Sequence, residues 1–303
     1  MRIWSSLIGL GLMFAAPASA WAQPSESVAR LRPLSESASL PALDFSIDGK
    51  GPFTAIVDTG NGTIGFAISR SLATTLSLPD APGAVTDSPA GGVGGGARPD
   101  LSFVRARSVV IAGREQKNVT ISVTAAFDRL STVIGAPIQG NLGYAWLKDC
   151  RVTIDWPGRS MRLSAFDPVL PGSTAMTVAP GKPLIVTDVR INGAGPFPAV
   201  FDTGAGLNLI APALARDLGL TPGDAVEIHG VSGQSRGRGV TLGRLQLGGS
   251  EVKAIDAVVA SAVEQVEALA GTKVMAVFGR ALLERAVLII DYPARRIAFR
   301  RAP

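Results

Sequence analysis

The sequence has little of several features that define other protein classes. Its 303 residues include one cysteine and one histidine. This excludes an internal disulfide and a metal site built from Cys and His ligands within one chain. Charged residues make up 17%, and no collagen period, heptad array or long charge block occurs. Fibrous and largely disordered classes are therefore excluded, whereas a 47% hydrophobic share is enough for one large or two ordinary domains.

The N-terminus has the pattern of an export signal. Arg2 precedes an apolar stretch over residues 3–16, and Ala18-Ser19-Ala20 has the small-x-small form of a signal peptidase site. The stretch is shorter than the ~20 apolar residues that a membrane helix needs. The sequence therefore predicts a signal peptide over residues 1–20 and a periplasmic or secreted protein with no stable membrane span after cleavage.

The net charge of +5 is mildly basic, and one dense group of basic residues lies near the C-terminus. That group consists of Arg295, Arg296, Arg300 and Arg301. Because no aromatic stacking platform accompanies these side chains, they are typical of a solvated strand edge rather than of a nucleic-acid site. No nucleic-acid partner is expected.

The remainder of the chain is an internal duplication. Residues 47–60 recur as 191–204 at an offset of 144, and residues 151–157 recur as 287–293 at an offset of 136. Because the matching segments keep their order, two homologous lobes are predicted. The predicted divisions after residue 20 are a loose Ser-rich N-terminal arm over 21–39, a first lobe over 40–166, a linker over 167–175 and a second lobe over 176–303.

The local patterns within each lobe favour strands. Short apolar runs end at Gly turns, and alternating apolar and polar residues follow, as in residues 152–154 and 161–163. Helices are expected to be few and short. They are predicted over residues 69–76, 144–149, 212–218, 261–270 and 281–286. The sequence thus predicts an all-β, duplicated protein with a few short helices.

The tripeptide Asp-Thr-Gly occurs once in each repeat, as Asp58-Thr59-Gly60 and Asp202-Thr203-Gly204. A single copy would indicate only a turn after a strand. Two copies, each following a Gly-Pro-Phe strand, present one carboxylate per lobe, and approximate two-fold packing would bring them together. Two adjacent carboxylates raise the pKa of one of them and share a proton, so that one can act as a base and the other as an acid.

These motifs resemble the pepsin/retropepsin aspartyl protease superfamily, and the chain is similar to bacterial exported proteins with two retropepsin-like repeats. The family's second signature is a hydrophobic-hydrophobic-Gly element beside the catalytic loop. Val277-Phe278-Gly279 matches it, whereas Asn141-Leu142-Gly143 departs from it at the polar Asn141. The resemblance implies a two-lobed aspartic-protease-like β-barrel fold.

The resemblance also implies roles for individual residues. Asp58 and Asp202 would be the catalytic carboxylates, Thr59 and Thr203 would hydrogen-bond across the lobe interface, and Gly60 and Gly204 would leave room for water and substrate. Two Gly-rich stretches lie where such folds place a flap. The flap candidates are Gly92, Val93, Gly94, Gly230, Val231 and Ser232.

The implied function is a monomeric aspartic endopeptidase that acts on a peptide or protein substrate without a metal or organic cofactor. The alternative is a catalytically silent module that binds a peptide or an envelope protein in the same cleft, since fold does not fix function. Retention of both Asp-Thr-Gly copies favours the enzyme.

Three departures from the family pattern bear on activity. Neither flap candidate contains a tyrosine. Asn61 follows the first Asp-Thr-Gly and Ala205 follows the second, so the two aspartates are expected to be inequivalent. Asn141 is expected to weaken the support of the first loop.

Competing motifs are weaker. The dinucleotide-like pattern over residues 60–65 is not kept in the second repeat. A Ser-His-Asp hydrolase would have to use His229 as its base, but the sequence has no G-x-S-x-G nucleophile motif. Cys150 is expected to be a small buried residue, and Asp155 and Asp291 are expected to stabilise turns.

Overall fold

The computed structural model describes residues 26–35, 39–62, 66–84, 100–165, 170–230 and 233–301. The predicted signal peptide lies outside these residues. The first half contains β1 Glu26–Arg30, β2 Arg32–Pro33, β3 Pro41–Ile47, β4 Lys50–Val57, β5 Phe66–Ser69, α1 Arg70–Leu76, β6 Leu101–Ile111, β7 Arg114–Thr124, α2 Ala126–Ile134, β8 Gly140–Leu142, α3 Tyr144–Leu147, β9 Arg151–Asp155 and β10 Ser160–Ser164. The second half contains β11 Thr174–Ala175, β12 Thr177–Val178, β13 Ile185–Ile191, β14 Ala194–Phe201, β15 Leu209–Ile210, α4 Pro212–Asp217, β16 Ala225–Gly230, β17 Gly233–Leu247, β18 Ser250–Val259, α5 Ala262–Ala270, β19 Ala276–Phe278, α6 Arg280–Leu283, β20 Ala286–Asp291 and β21 Arg296–Arg301.

Each half forms a barrel-like sheet. In the first half the strand order is β2-β3-β4-β8-β5-β7-β6, and an additional pairing of β3 with β6 joins distant strands of the sheet. In the second half the order is β12-β13-β14-β19-β15-β18-β17-β16, with the equivalent additional pairing of β13 with β17. Equivalent strands thus occupy the same places in both lobes, with β16 as an additional strand in the described part of the second. This arrangement confirms the prediction of a duplicated, mostly β protein with a few short helices.

Alternating side chains explain why these strands curl around a core. In β13, Thr187, Val189 and Ile191 are buried while Asp188 and Arg190 between them are exposed. The apolar face turns inward and the polar face meets solvent, as the period of two residues in a strand requires. Phe201, Phe278 and Phe66 are among the largest fully buried side chains.

A third sheet joins the two lobes. Its strand order is β1-β10-β9-β20-β21-β11, so three strands of the first half and three strands of the second half meet at the central pair β9 and β20. In this pair Arg151 lies opposite Asp291, Thr153 opposite Ile289 and Asp155 opposite Val287. Residues 151, 153 and 155 correspond to residues 287, 289 and 291 of the second repeat. The repeat relation therefore exchanges the pair Arg151 and Asp291 with the pair Asp155 and Val287, and it maps Thr153 onto Ile289. The approximate two-fold axis therefore passes through the pair Thr153 and Ile289.

Two segments predicted to be outside the lobes are strands of this sheet. Glu26–Arg30, predicted to be part of a loose arm, pairs along its whole length with β10. Thr174–Ala175, predicted to be linker, pairs with β21. Polar and Pro-rich composition favours a loose arm and a linker, whereas edge strands need little apolar content because one side of them faces solvent.

All the predicted helices are present, but α6 ends at Leu283, and Ala286, predicted to be helical, begins β20. A further helix, α2, is not predicted from the sequence patterns, although Phe127 on it is buried against the barrel. Among the residues that the structure describes, no helix has both the length and the apolar content required to cross a bilayer.

Candidate active site

The two Asp-Thr-Gly loops begin where β4 and β14 end. β4 runs parallel to β8, with Val57 opposite Leu142, and the Asp58 amide donates to the Leu142 carbonyl at 2.9 Å. The second lobe repeats this arrangement, with the Asp202 amide donating to the Phe278 carbonyl at 2.9 Å. A buried pair of parallel strands therefore fixes where each aspartate leaves its sheet.

Glycine is required beside each loop because the backbones approach closely. A Cβ atom added to Gly143 would lie 2.4 Å from the Asn61 carbonyl oxygen, and one added to Gly279 would lie 2.3 Å from the Ala205 carbonyl oxygen. Real Cβ atoms do not come this close to backbone oxygens. The expectation that the hydrophobic-hydrophobic-Gly element packs beside the loop is confirmed in both lobes.

Thr59 and Thr203 join the two loops by reciprocal hydrogen bonds. The Thr59 amide donates to Thr203 Oγ1 at 3.1 Å, and the Thr203 amide donates to Thr59 Oγ1 at 3.0 Å. Each hydroxyl in turn donates to a carbonyl of the other lobe, Thr59 to Phe201 at 2.8 Å and Thr203 to Val57 at 2.7 Å. Both side chains are buried. With each hydroxyl both donating and accepting, neither threonine leaves a buried polar group unsatisfied, and the loops are held rigidly.

The two carboxyl groups converge at this junction. A Cβ atom added to Gly60 would lie 2.3 Å from Asp202 Cγ, and one added to Gly204 would lie 2.4 Å from Asp58 Cγ. Each loop therefore leaves space for the carboxyl group of the other lobe. The Gly60 amide donates to Asp58 Oδ1 at 2.9 Å and the Gly204 amide donates to Asp202 Oδ1 at 2.9 Å, which orients both groups.

Burial and the proximity of the two carboxyl groups change the acidity of one of them. Removal from bulk water, the negative charge of Asp58 and a hydrogen bond with Asp58 raise the pKa of Asp202 to about 8. Attraction to Lys182 and the Gly204 amide act in the opposite direction. A carboxylic acid that keeps its proton near neutral pH can donate that proton, while its partner accepts one.

The surroundings of the two aspartates differ. Asn141 Nδ2 donates to Asp58 Oδ2 at 2.6 Å, and Asn61 Nδ2 donates to Asn141 Oδ1 at 2.8 Å. The equivalent residues of the second repeat, Val277 and Ala205, have no polar side chain. The expected inequivalence of the aspartates is therefore present, but its direct cause is Asn141 rather than Asn61.

The expectation that Asn141 weakens the first loop is wrong. Its backbone pairs with β4 opposite Ile56, and its side chain is buried with hydrogen bonds to both Asp58 and Asn61. A polar residue at this position therefore stabilises the loop, because the buried amide has partners for its donor and its acceptor.

A cavity of about 370 Å³ opens over the two carboxyl groups. Its first-lobe wall is apolar and includes Leu40, Ile56, Phe127 and Ile138. Its second-lobe wall carries three basic side chains. These are Lys182, His229 and Arg280. The cavity therefore has chemically different sides around a shared acidic centre.

Of the flap candidates, Gly230 lies at the end of β16 and lines this cavity. Gly92, Val93, Gly94, Val231 and Ser232 lie outside the described residues. β16 and β17 form a hairpin in which Gly230 pairs with Gly233. The described part of the second flap candidate therefore borders the two carboxyl groups.

The recurring aspartates at the ends of β9 and β20 accept hydrogen bonds from the turns that follow, as predicted. Asp155 Oδ1 accepts from the Gly158 amide at 2.7 Å, and Asp291 Oδ1 accepts from the Ala294 amide at 3.0 Å. Asp291 is fully buried and also pairs with Arg151 of the other lobe, with 2.8 Å between Oδ2 and Nε.

Cys150 is buried, as expected for a small apolar residue, but it also has a basic neighbour. Arg114 Nη1 donates to Cys150 Sγ at 2.6 Å. Burial nevertheless raises the pKa of the Cys150 thiol. The thiol is thus not activated as a nucleophile.

Sequence patterns did not identify Asn208 and Lys182. Asn208 Oδ1 accepts from the Gly279 amide at 2.9 Å, which fixes the glycine that packs against the second loop. Lys182 lies among prolines and glycines, which predict an exposed turn, yet only 9% of it is exposed. No local pattern signals a burial that depends on contacts between distant parts of the chain.

Comparison with known families agrees with this geometry. A family model described as aspartyl protease matches residues 43–146 and, separately, residues 187–280. A search of curated proteins gives no match. The two matched regions contain one Asp-Thr-Gly loop each and together cover more than half of the chain. The chain therefore belongs to the retropepsin-like aspartyl protease family, with two family repeats in one polypeptide.

Proposed function

We propose that the protein is an aspartic endopeptidase that hydrolyses peptide bonds with a water molecule activated between Asp58 and Asp202. The observation that carries this proposal is the convergence of two carboxyl groups, 144 positions apart, on one cavity under rigid loops. Family membership supports hydrolysis of the aspartyl protease kind.

In the proposed reaction the two aspartates have different starting charges. Asp202 holds the proton, since its pKa is raised to about 8, and Asp58 is the carboxylate whose negative charge the Asn141 amide stabilises. Asp58 takes a proton from water as the water oxygen attacks the peptide carbonyl carbon. Asp202 gives its proton to the carbonyl oxygen, and a neutral gem-diol results.

The second half of the reaction returns both protons. Asp58 protonates the peptide nitrogen, the carbon–nitrogen bond breaks, and a diol hydroxyl returns its proton to Asp202 as the new carboxylic acid forms. No covalent bond to the protein is made at any step. The threonine hydrogen bonds keep the two carboxyl groups in register through both proton transfers.

The test is cleavage of a mixed peptide library by the wild type and by Asp58→Asn and Asp202→Asn. Each substitution keeps the size of the side chain and removes one titratable group, so both variants are expected to lose at least 1000-fold of the activity, on the order of the loss for a single essential group. Asp188→Asn, at an exposed carboxylate of β13, is the matched control and is expected to cleave like the wild type.

Undiminished cleavage by both dyad variants would remove the proposed mechanism. Failure of the wild type to cleave any peptide between pH 3 and 9, while it retains peptides in a pull-down, would favour a binding module instead. A pepstatin-type inhibitor offers a second check, since it is expected to block the wild type.

We further propose that the enzyme acts as a monomer in the periplasm or after secretion. Both carboxyl groups come from one chain, and residues 1–20 have the form of a signal peptide. Mass spectrometry of the protein from the periplasmic fraction is expected to find Trp21 at its N-terminus. Retention of residues 1–20 would contradict the proposed processing.

A further inference from the structure

Lys182 lies between the lobes on a segment whose backbone is fixed to the end of α5. Its amide donates to the Leu269 carbonyl at 2.7 Å, and the preceding Gly181 amide donates to the Ala270 carbonyl at 2.9 Å. The Lys182 carbonyl accepts from the Leu184 amide at 2.7 Å. With the backbone held on both sides, the position of this lysine is set by the fold rather than by solvent.

The side chain of Lys182 extends over the first catalytic loop. A Cβ atom added to Gly62 would lie 2.9 Å from Lys182 Cγ, so Gly62 leaves the space that the lysine stem occupies. Lys182 lines the same cavity as Asp58 and Asp202. The Lys182 side chain therefore lies at the cavity of the two carboxyl groups, in a place with little access to bulk water.

The other charged groups that the structure describes around Lys182 are paired or exposed to solvent. On the cavity wall, Arg280 hydrogen-bonds to Glu284 and His229 lies 3.8 Å from Glu227. On α5, Glu267 pairs with Lys273, and Glu264 is exposed. Burial lowers the pKa of Lys182 below its usual range, and attraction to Asp58 and Asp202 opposes this lowering.

The charge of a protonated Lys182 can balance the charge of the two carboxyl groups. Two carboxyl groups that share one proton carry one net negative charge, which is unfavourable where water is scarce. One ammonium group makes the site neutral. Positive charge favours loss of a proton from the carboxyl groups, so it displaces both of their titration steps to lower pH.

We propose that Lys182 is a positioning residue that neutralises the singly protonated pair Asp58 and Asp202 and thereby sets the pH range in which one proton is shared. The inference rests on the proposed function for its effect on catalysis. The charge coupling itself is a property of the folded protein and can be measured without catalysis.

The first measurement is the pH profile of kcat/KM for the wild type and Lys182→Met. Both limbs of the profile are expected to move upward by about one pH unit in the variant, the size expected for loss of one nearby charge. Lys182→Arg keeps the charge and is expected to keep the wild-type midpoints. Lys253→Met, which removes an equal charge at an exposed site on β18, is the matched control and is expected to leave them unchanged.

A merely structural role for Lys182 would lower kcat/KM equally at every pH and leave the midpoints in place, and that result would overturn the proposal. If Lys182→Met does not fold, Lys182→Gln provides the same test with a polar side chain.

The second measurement is a ¹³C NMR titration of protein labelled at the aspartate carboxyl carbons, with the Asp202 signal assigned by its absence in Asp202→Asn. Its midpoint is expected to rise in Lys182→Met by the same amount as the kinetic limbs. If the Asp202 midpoint rises in Lys182→Met but the wild type cleaves no peptide, the charge coupling is supported and the proposed enzyme is rejected. If the midpoints are equal, while the wild type is active and Asp58→Asn and Asp202→Asn are inactive, the role of Lys182 alone is rejected.

Discussion

The raised pKa of Asp202 predicts that the active-site arrangement costs stability and that Asp202→Asn removes this cost. In the unfolded chain an aspartate releases its proton near 3.8, whereas in the folded protein Asp202 releases it at about 8. Between these values the folded state binds more protons than the unfolded state. Stability therefore falls as the pH rises through this interval.

The size of the effect follows from the interval. Between 3.8 and pH 7 lie about three pH units, which correspond to about 4 kcal/mol in the free energy of unfolding. Asparagine has the same shape and no charge to desolvate. Asp202→Asn is therefore expected to be as stable as the wild type near pH 4 and more stable by up to about 4 kcal/mol at pH 7, with no further gain above about pH 8.

The assay is urea unfolding followed by circular dichroism at several pH values between 4 and 9. Asp188→Asn serves as the control for loss of a carboxylate at an exposed position and is expected to show no comparable gain. A free-energy difference between Asp202→Asn and the wild type that does not change with pH would refute the reasoning. A variant that is less stable than the wild type at pH 7 would refute it as well.

Three further substitutions test the supports of the site. Thr59→Val removes a buried hydroxyl that donates to Phe201 and accepts from Thr203, and it is expected to lower the free energy of unfolding by about 1–3 kcal/mol, whereas Thr59→Ser keeps the hydroxyl and most of the stability in the same urea assay. Arg151→Met leaves the carboxylate of Asp291 buried without its cation, so a loss of about 3–5 kcal/mol is expected, and a loss below about 1 kcal/mol would show that the pair does not join the lobes. Asn141→Val installs the residue type of the second repeat and removes the donor to Asp58, so kcat/KM on a library-derived peptide is expected to fall about tenfold or more, the cost of one charge-assisted hydrogen bond; unchanged kcat/KM would contradict this role.

Much of the fold could be predicted from the sequence because the chain contains two copies of the same structural repeat. The offset of 144 between the Asp-Thr-Gly copies is also the offset between the two threonines that bond across the interface. The offset of 136 between the later segments maps α5 onto α2, residue for residue. Comparison of the repeats would therefore have found α2, which local propensity missed because Thr132, Val133 and Ile134 are β-branched.

The parts that could not be predicted depend on contacts between distant residues. A polar residue such as Asn141 in an apolar signature looks like a defect until the Asp58 carboxyl group is placed 2.6 Å away. The burial of Lys182 requires α5, the first catalytic loop and the segment before β13 to meet, and no local pattern contains all three. Glu26–Arg30 is a strand because β10 offers it a free edge.

The sheet that unites the lobes frees the molecule from two constraints of a symmetric pair of chains. Because β9 and β20 belong to one polypeptide, the two loops stay face to face at any dilution, without an association equilibrium. Because the two halves are encoded separately, a substitution on one side is not copied to the other. Asn141 in the first repeat and Val277 at the equivalent position of the second are such a one-sided difference, and it gives the two aspartates separate chemical environments.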